Sequence, residues 1–203
     1  MTARFCLVSI RTSANYAGGF TGTARSPFRN GDAVMNQAAR KVRPRFVVHR
    51  SPVHGRGLFA NNTIVAGEFV CEYKGTRISW KDVLDKLPND RSQPGHTFFF
   101  DVEEGIVIDG SKGGNGARWL NHACSPNCEA ELSNNRIFIY ALREISPGEE
   151  LTLDYALVVD GRHSRKIREE FRCLCSLPEC RGTMLEKRKK GARARAAARL
   201  KQL

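Results

Sequence analysis

The chain has 203 residues, 41% of them hydrophobic, with 33 Lys/Arg against 21 Asp/Glu and a formal net charge of +12. That length fits one compact domain with extensions and predicts a stand-alone protein, and no apolar run approaches the roughly 20 residues that span a bilayer. The stretch Cys6–Ile10 is too short for a signal-peptide core, so neither secretion nor a membrane partner is expected.

The charge is uneven. Residues 1–43 carry seven Lys/Arg and one acid, residues 183–203 carry eight and one, and residues 44–182 are close to neutral. Basic ends of this kind attract nucleic acid or another anionic surface through counterion release. Residues 1–43 are rich in Gly, Ser, Thr, Ala and Arg without periodicity, which predicts a flexible basic arm; an Arg-rich targeting peptide has the same composition.

Order is predicted from about Arg45. After the opening stretch Arg45–His49 comes a loop holding Pro52, Gly55 and Gly57, and short strands are expected at Leu58–Ala60 and Phe69–Tyr73, separated by a turn at Ala66–Glu68. Helical spacing runs from Ser79 to Leu87, with Ser79 as cap before Trp80, Val83 and Leu84. Thr97–Val102 and Ile106–Asp109 read as strands joined by a Glu103-Glu104-Gly105 turn. Ala117–His122 reads as one helical turn. Arg136–Ala141 and Glu150–Tyr155 read as strands around a Pro147-Gly148 turn, and Arg162–Phe171 as a charged helix. Many short strands, few helices and frequent Gly turns predict a β-rich α+β domain. The tail to Leu203, mostly Lys, Arg and Ala, is expected to be helical only against something anionic.

Seven cysteines without a secretion signal argue for metal ligation in a reducing compartment rather than a disulfide framework. Cys173-Leu-Cys175-Ser-Leu-Pro-Glu-Cys180 places three thiols in one short segment. Zinc takes four ligands in a tetrahedron. Cys124, in Asn121-His-Ala-Cys-Ser-Pro-Asn127, is the natural fourth, with Cys128 as a rival. Gly55-Arg-Gly57-Leu-Phe-Ala60 allows close approach of a ligand to the backbone, although such a turn is also an ordinary connection between strands. Asn121 and His122 present amide and imidazole groups suited either to a polar cofactor or to a satisfied turn. Tyr155 closes a strand, where a hydroxyl commonly meets water or a backbone carbonyl.

The order of these elements resembles the SET-domain lysine methyltransferases. The resemblance runs from about Arg45 to Gly182. It lies in Gly55-Arg-Gly57-Leu, Glu72-Tyr73-Lys-Gly75, Asn-His-Ala-Cys-Ser-Pro-Asn, Glu149-Glu-Leu-Thr-Leu-Asp-Tyr155 and the post-SET cysteines. It implies a SET fold of several small curved sheets with a knot-like threading near the active site. It divides the chain into a basic arm (1–43), a SET domain (44–160), a post-SET zinc-binding segment (161–182) and a basic tail (183–203).

The resemblance implies S-adenosylmethionine as cofactor, held by Arg56, Gly57 and Leu58 on one side and by Asn121 and His122 on the other. It implies Leu177 against the adenine, Tyr155 at the methyl-transfer centre and Tyr73 lining the lysine channel. One zinc ion would be held by Cys124, Cys173, Cys175 and Cys180. Leu153 stands where the family often has an aromatic residue, which leaves the number of methyl groups open. No cysteine-rich segment precedes the domain, unlike in several histone-specific members. The expected substrate is a basic protein, histone or histone-like, with the tail contacting nucleic acid. The expected location is chromatin in a nucleus, or the cytoplasm or nucleoid of a bacterium. A non-histone substrate, or a non-catalytic zinc-bearing module on nucleic acid, are the alternatives.

Overall fold

The structure is a computed structural model that describes residues 44–86, 98–102, 105–159 and 162–187. The expected basic arm 1–43, Leu87, Thr97, the Glu103-Glu104 turn and the tail beyond Lys187 lie outside the described residues. Ten strands form three small sheets, with two short α-helices and one 3-10 turn among the described residues.

The first sheet has the order β1-β2-β10-β7. β1 (Phe46–Arg50) and β2 (Arg56–Ala60) form a hairpin in which Val48 faces Leu58. Its loop turns on Ser51, whose N–H donates to the Gly55 carbonyl at 3.0 Å. The Ser51 hydroxyl oxygen accepts from the N–H groups of Val53 and His54. β10 (Glu150–Leu153) lies antiparallel to β2, pairing Leu151 with Leu58. β7 (Asn121–His122) runs parallel to β10, pairing Asn121 with Thr152 and His122 with Leu153.

The second sheet has the order β3-β9-β8. β3 (Phe69–Tyr73) and β9 (Arg136–Ala141) occupy the residues read as strands from the sequence. β8 (Cys128–Ser133) joins β9 through Asn134 and Asn135, both at positive φ, as a two-residue hairpin turn of this hand requires. The third sheet, β4-β6-β5, contains β4 (Thr76–Ser79), β5 (Phe99–Asp101) and β6 (Ile106–Asp109).

α1 (Trp80–Lys86) begins as expected at Ser79. The Ser79 hydroxyl accepts from the Asp82 N–H at 3.2 Å while the Asp82 carboxylate accepts from the Ser79 N–H at 3.2 Å, a reciprocal capping box. α2 (Arg165–Glu170) is capped by Ser164, which accepts from the Ile167 N–H.

Two expectations need correction. The helical turn at Ala117–His122 is a 3-10 turn confined to Gly116–Trp119, and Asn121–His122 is strand. The parallel pairing with β10 pulls that dipeptide into extended form. Strands β4 and β8 have no counterpart in the sequence reading. Glu129 and Glu131 face outward on β8, which lies at the edge of its sheet, so only one face carries apolar pattern.

The main core joins the first two sheets through Leu58, Ile64, Ile137, Ile139, Ile145, Leu151 and Leu157, all fully buried. A second small core holds Val83 against Val107, and a third surrounds the cysteines.

Candidate functional site

Tyr73 ends β3 and is buried. Its hydroxyl donates to the Phe98 carbonyl at 2.7 Å, and its ring tilts against Phe100 with centroids 5.0 Å apart. A Cβ on Gly110 would overlap the Tyr73 hydroxyl, so glycine is required beneath it. Asn115 brackets the residue: its amide donates to the Glu72 carbonyl at 2.7 Å and its oxygen accepts from the Lys74 N–H at 3.3 Å. Burial pushes the Tyr73 phenol well above its ordinary range. Nearby Tyr155 and Asp109 push the same way and Arg118 opposes them, so the hydroxyl stays protonated.

Tyr155 follows β10 and is half-buried. Its hydroxyl donates to the Leu120 carbonyl at 2.6 Å, and its N–H donates to His122 Nδ1 at 3.1 Å. The His122 and Tyr155 rings lie 5.4 Å apart. Burial holds the imidazole down at about 4, with Asp154 opposing that shift and Arg181 adding to it, so His122 is neutral at physiological pH. Because Nδ1 accepts from Tyr155, the ring proton sits on Nε2, 3.5 Å from the Cys124 sulfur. The backbone immediately beyond Tyr155 is left-handed at Ala156 (φ 44°). The Asp154 carboxylate accepts from the Ala156 N–H at 3.1 Å and supports that turn.

Asn121 is buried and the NH2 group of its amide is engaged. It donates to the carbonyls of His54 (3.2 Å) and Arg56 (2.9 Å) and to the Glu150 carboxylate (2.7 Å). Glu150 also accepts from the Ser51 hydroxyl at 2.9 Å. A Cβ on Gly57 would collide with that carboxylate, so the glycine makes room for the network that ties β2 to β7 and β10. Leu58 is fully buried, with its side chain in the core behind the strand rather than at the site surface. The Arg56 guanidinium lies over the Trp119 ring at 5.3 Å and that of Arg118 at 5.0 Å. Arg118 Nε is buried and has no hydrogen-bond partner.

The four thiols of Cys124, Cys173, Cys175 and Cys180 converge, with all sulfurs within 4.8 Å of one another. Cys124 is 3.5 Å from Cys173 and 3.9 Å from Cys180. Four sulfurs at 2.3 Å from one zinc ion, at the corners of a tetrahedron, stand about 3.8 Å apart, so the set fits that ion. Burial raises the Cys175 thiol, but the N–H groups of Cys124 and Leu177 and the Cys173 and Cys180 thiols outweigh it and hold it at about 7. The N–H groups of Arg181, Cys175 and Gly182 point at the sulfurs of Cys124, Cys173 and Cys180. Such donors stabilise bound thiolate. Cys128 is not in the group; it is buried in the main core and burial lifts its thiol to about 12. Leu177 packs on the cysteine group.

Sequence reasoning missed the link between this group and Tyr155. Arg181, between Cys180 and Gly182, donates through both terminal nitrogens to both oxygens of Asp154 at 2.6 Å. It missed Glu150, Asn115 and Arg118 as well. Partners this far apart in the chain leave no local pattern to read.

A strand-rich α+β domain thus sets a buried tyrosine, a half-buried one, an Asn-His strand and a four-cysteine centre side by side. The family model for the SET domain matches residues 55–156, and the chain belongs to that family. It is 37% identical over 155 residues to "Histone-lysine N-methyltransferase, H3 lysine-4 specific" of Saccharomyces cerevisiae, covering 73% of this chain and 14% of that protein. The protein of the same name from Eremothecium gossypii is 38% identical over 157 residues, covering 73% of this chain and 15% of the relative. The chain therefore spans about one seventh of the length of the curated relatives it matches. A solved structure of ctPRC2 in an autoinhibited conformation bound to S-adenosylmethionine matches at 33% identity, over 53% of this chain and 14% of that one, with a TM-score of 0.49. Among the described residues no helix is long and apolar enough to cross a membrane.

Proposed function

We propose that this chain is an S-adenosylmethionine-dependent protein-lysine N-methyltransferase acting on a histone or histone-like basic protein at chromatin. The observation that carries the reading is the pair of tyrosines, Tyr73 buried and Tyr155 half-buried, each with its hydroxyl anchored to a main-chain carbonyl. The names of the relatives, H3 lysine-4 methyltransferases, support the substrate class.

The cofactor test turns on Arg118. Its buried, unpartnered Nε beside Trp119 and Arg56 suits the carboxylate of an amino-acid cofactor. Arg56, the Gly57 backbone, Asn121 and His122 would hold that cofactor, with Leu177 toward the adenine and Leu58 packing from behind. When bound, S-adenosylmethionine supplies a methyl group already activated as a sulfonium.

The chain's own task is to deliver a neutral lysine amine in line. Both tyrosine hydroxyls donate to carbonyls, which leaves their oxygen lone pairs to accept from the lysine nitrogen and orient it. Phe100, packed on Tyr73, makes the wall apolar, which disfavours the ammonium and lowers its pKa. The ammonium proton leaves to water. Cys124, Cys173, Cys175 and Cys180 would bind one zinc ion that fixes the 161–182 segment beside the 44–160 domain. The basic 183–203 tail would touch nucleic acid near the substrate.

Transfer of labelled methyl from S-adenosylmethionine to a panel of histones and nucleoid proteins tests the reading. Tyr155→Phe and Cys175→Ser serve as controls. Label on a lysine of one protein, lost in both variants, is the expected result. Full activity in Tyr155→Phe would remove the role given to that hydroxyl. No cofactor binding would leave a non-catalytic zinc-bearing module.

A further inference from the structure

The charge of the folded part is segregated. Residues 44–161 hold twelve Lys/Arg and sixteen acids, whereas residues 162–182 hold six and three. Three arginines of the larger body meet carboxylates: Arg45 pairs with Glu68, Arg136 with Glu72 and Arg143 with Glu149. The basic residues of and beside α2 are arranged differently. Arg162, Arg165, Lys166 and Arg168 are exposed, and none pairs with a carboxylate among the described residues. Only Arg172 has a partner there, Glu169 at 3.7 Å, and both are mostly exposed.

The helix sets this face outward because its apolar residues are buried. Ile167 and Phe171 enter the core, and Arg165, Lys166 and Arg168 take the remaining arc together with exposed Glu169 and half-buried Glu170. The chain then returns to the same place. Arg172 bridges Thr183 and Leu157 bridges Leu185, so Lys187 leaves the domain beside α2. Beyond it, residues 188–203 contain seven more Lys/Arg and no acid.

We propose that the exposed face of α2 is a binding surface for the phosphate backbone of duplex DNA. It extends the tail contact suggested above to a folded surface of named residues. Unpaired arginines suit phosphate, which they bind through paired N–H groups. A single strand fits less well, because α2 itself (RKIREE) has no aromatic side chain on which a base could stack, and Phe171, which follows it, is buried. A lipid surface also fits less well, because α2 has no exposed apolar side to insert, with Ile167 buried. Contacts to phosphate carry no sequence information, so the expected binding is independent of sequence.

Fluorescence anisotropy of the whole chain with a labelled 20-base-pair duplex, across a salt series and without cofactor or substrate, tests this. The comparison is the variant Arg162→Gln/Arg165→Gln/Lys166→Gln/Arg168→Gln. Four lost phosphate contacts lower the slope of log Kd against log salt by about 3.6, or about twelve-fold per doubling of salt. The surface substitutions leave the melting temperature and methylation of a free peptide unchanged, which separates failure of this proposal from failure of the methyltransferase reading. An unchanged slope would assign all binding to the tail and overturn the proposal. Tighter α2-dependent binding to phosphatidylserine vesicles or to polyglutamate than to the duplex would overturn it in favour of a membrane or an acidic protein.

Discussion

Arg181→Ala is the most informative single change. The guanidinium holds both oxygens of Asp154 at 2.6 Å, with the two side chains only 14% and 19% exposed. After truncation Asp154 keeps its hydrogen bond from the Ala156 N–H but loses the Arg181 cation. Breaking a fully buried pair costs about 3–5 kcal/mol, and partial exposure places this one at about 2–3 kcal/mol. Urea unfolding at saturating zinc measures the loss, and a cycle with Asp154→Ala isolates the pair, with an expected coupling of about 1.5–3 kcal/mol. Metal content should stay at one zinc per chain, because the hydrogen bond from Arg181 to the cysteine group comes from its N–H to Cys124, which alanine retains; what is lost there is the nearby positive charge. Methyl transfer should fall nonetheless, since Asp154 precedes Tyr155 and supports the turn after it. Arg181→Lys should recover part of the stability but not the two-point contact. A coupling below about 0.5 kcal/mol, or full activity in Arg181→Ala, would refute the idea that this pair connects the cysteine centre to Tyr155.

Gly57→Ala should cost at least as much as a poor core substitution, about 2–4 kcal/mol, because its Cβ meets the Glu150 carboxylate; thermal denaturation reads it. Zinc removal by a chelator, or Cys175→Ser, should loosen the 162–187 region first, seen as faster amide exchange there than in β3 and β9. Burial raises the Glu149 carboxyl, but Arg143, Asn127 and the Ser146 N–H outweigh it and hold it below the ordinary range. Its contribution is therefore complete above the unfolded value near 4.3 and is lost as pH falls through the folded value. Glu149→Gln should accordingly lower stability by about 1 kcal/mol at pH 7 and by less at pH 3, measured by urea titration at both.

Much of this molecule is legible from local pattern. Phe69–Tyr73, Ile106–Asp109 and Arg136–Ala141 declare themselves as strands because alternation and β-branched or aromatic residues act within the segment. Ser79 declares a helix start because Asp82 stands three residues on. The C-x-C spacing predicts a ligand group, and the structure gathers Cys124, Cys173, Cys175 and Cys180.

What the chain order could not decide is what depends on partners far apart. Asn121–His122 is strand only because Thr152 and Leu153 lie beside it. Cys124 rather than Cys128 joins the cysteine group because β8 carries Cys128 into the core. Gly57 reads from the sequence as a place of close approach, but that Glu150, from another strand, also lies against it is decided by the tertiary structure. The contact of Arg181 with Asp154 spans 27 residues and has no signature in either segment. Local propensity acts through neighbours on the chain, and sequence carries it directly. Long-range hydrogen bonds and ion pairs are fixed by packing of the three sheets, and only the tertiary structure decides which carboxylate meets which cation.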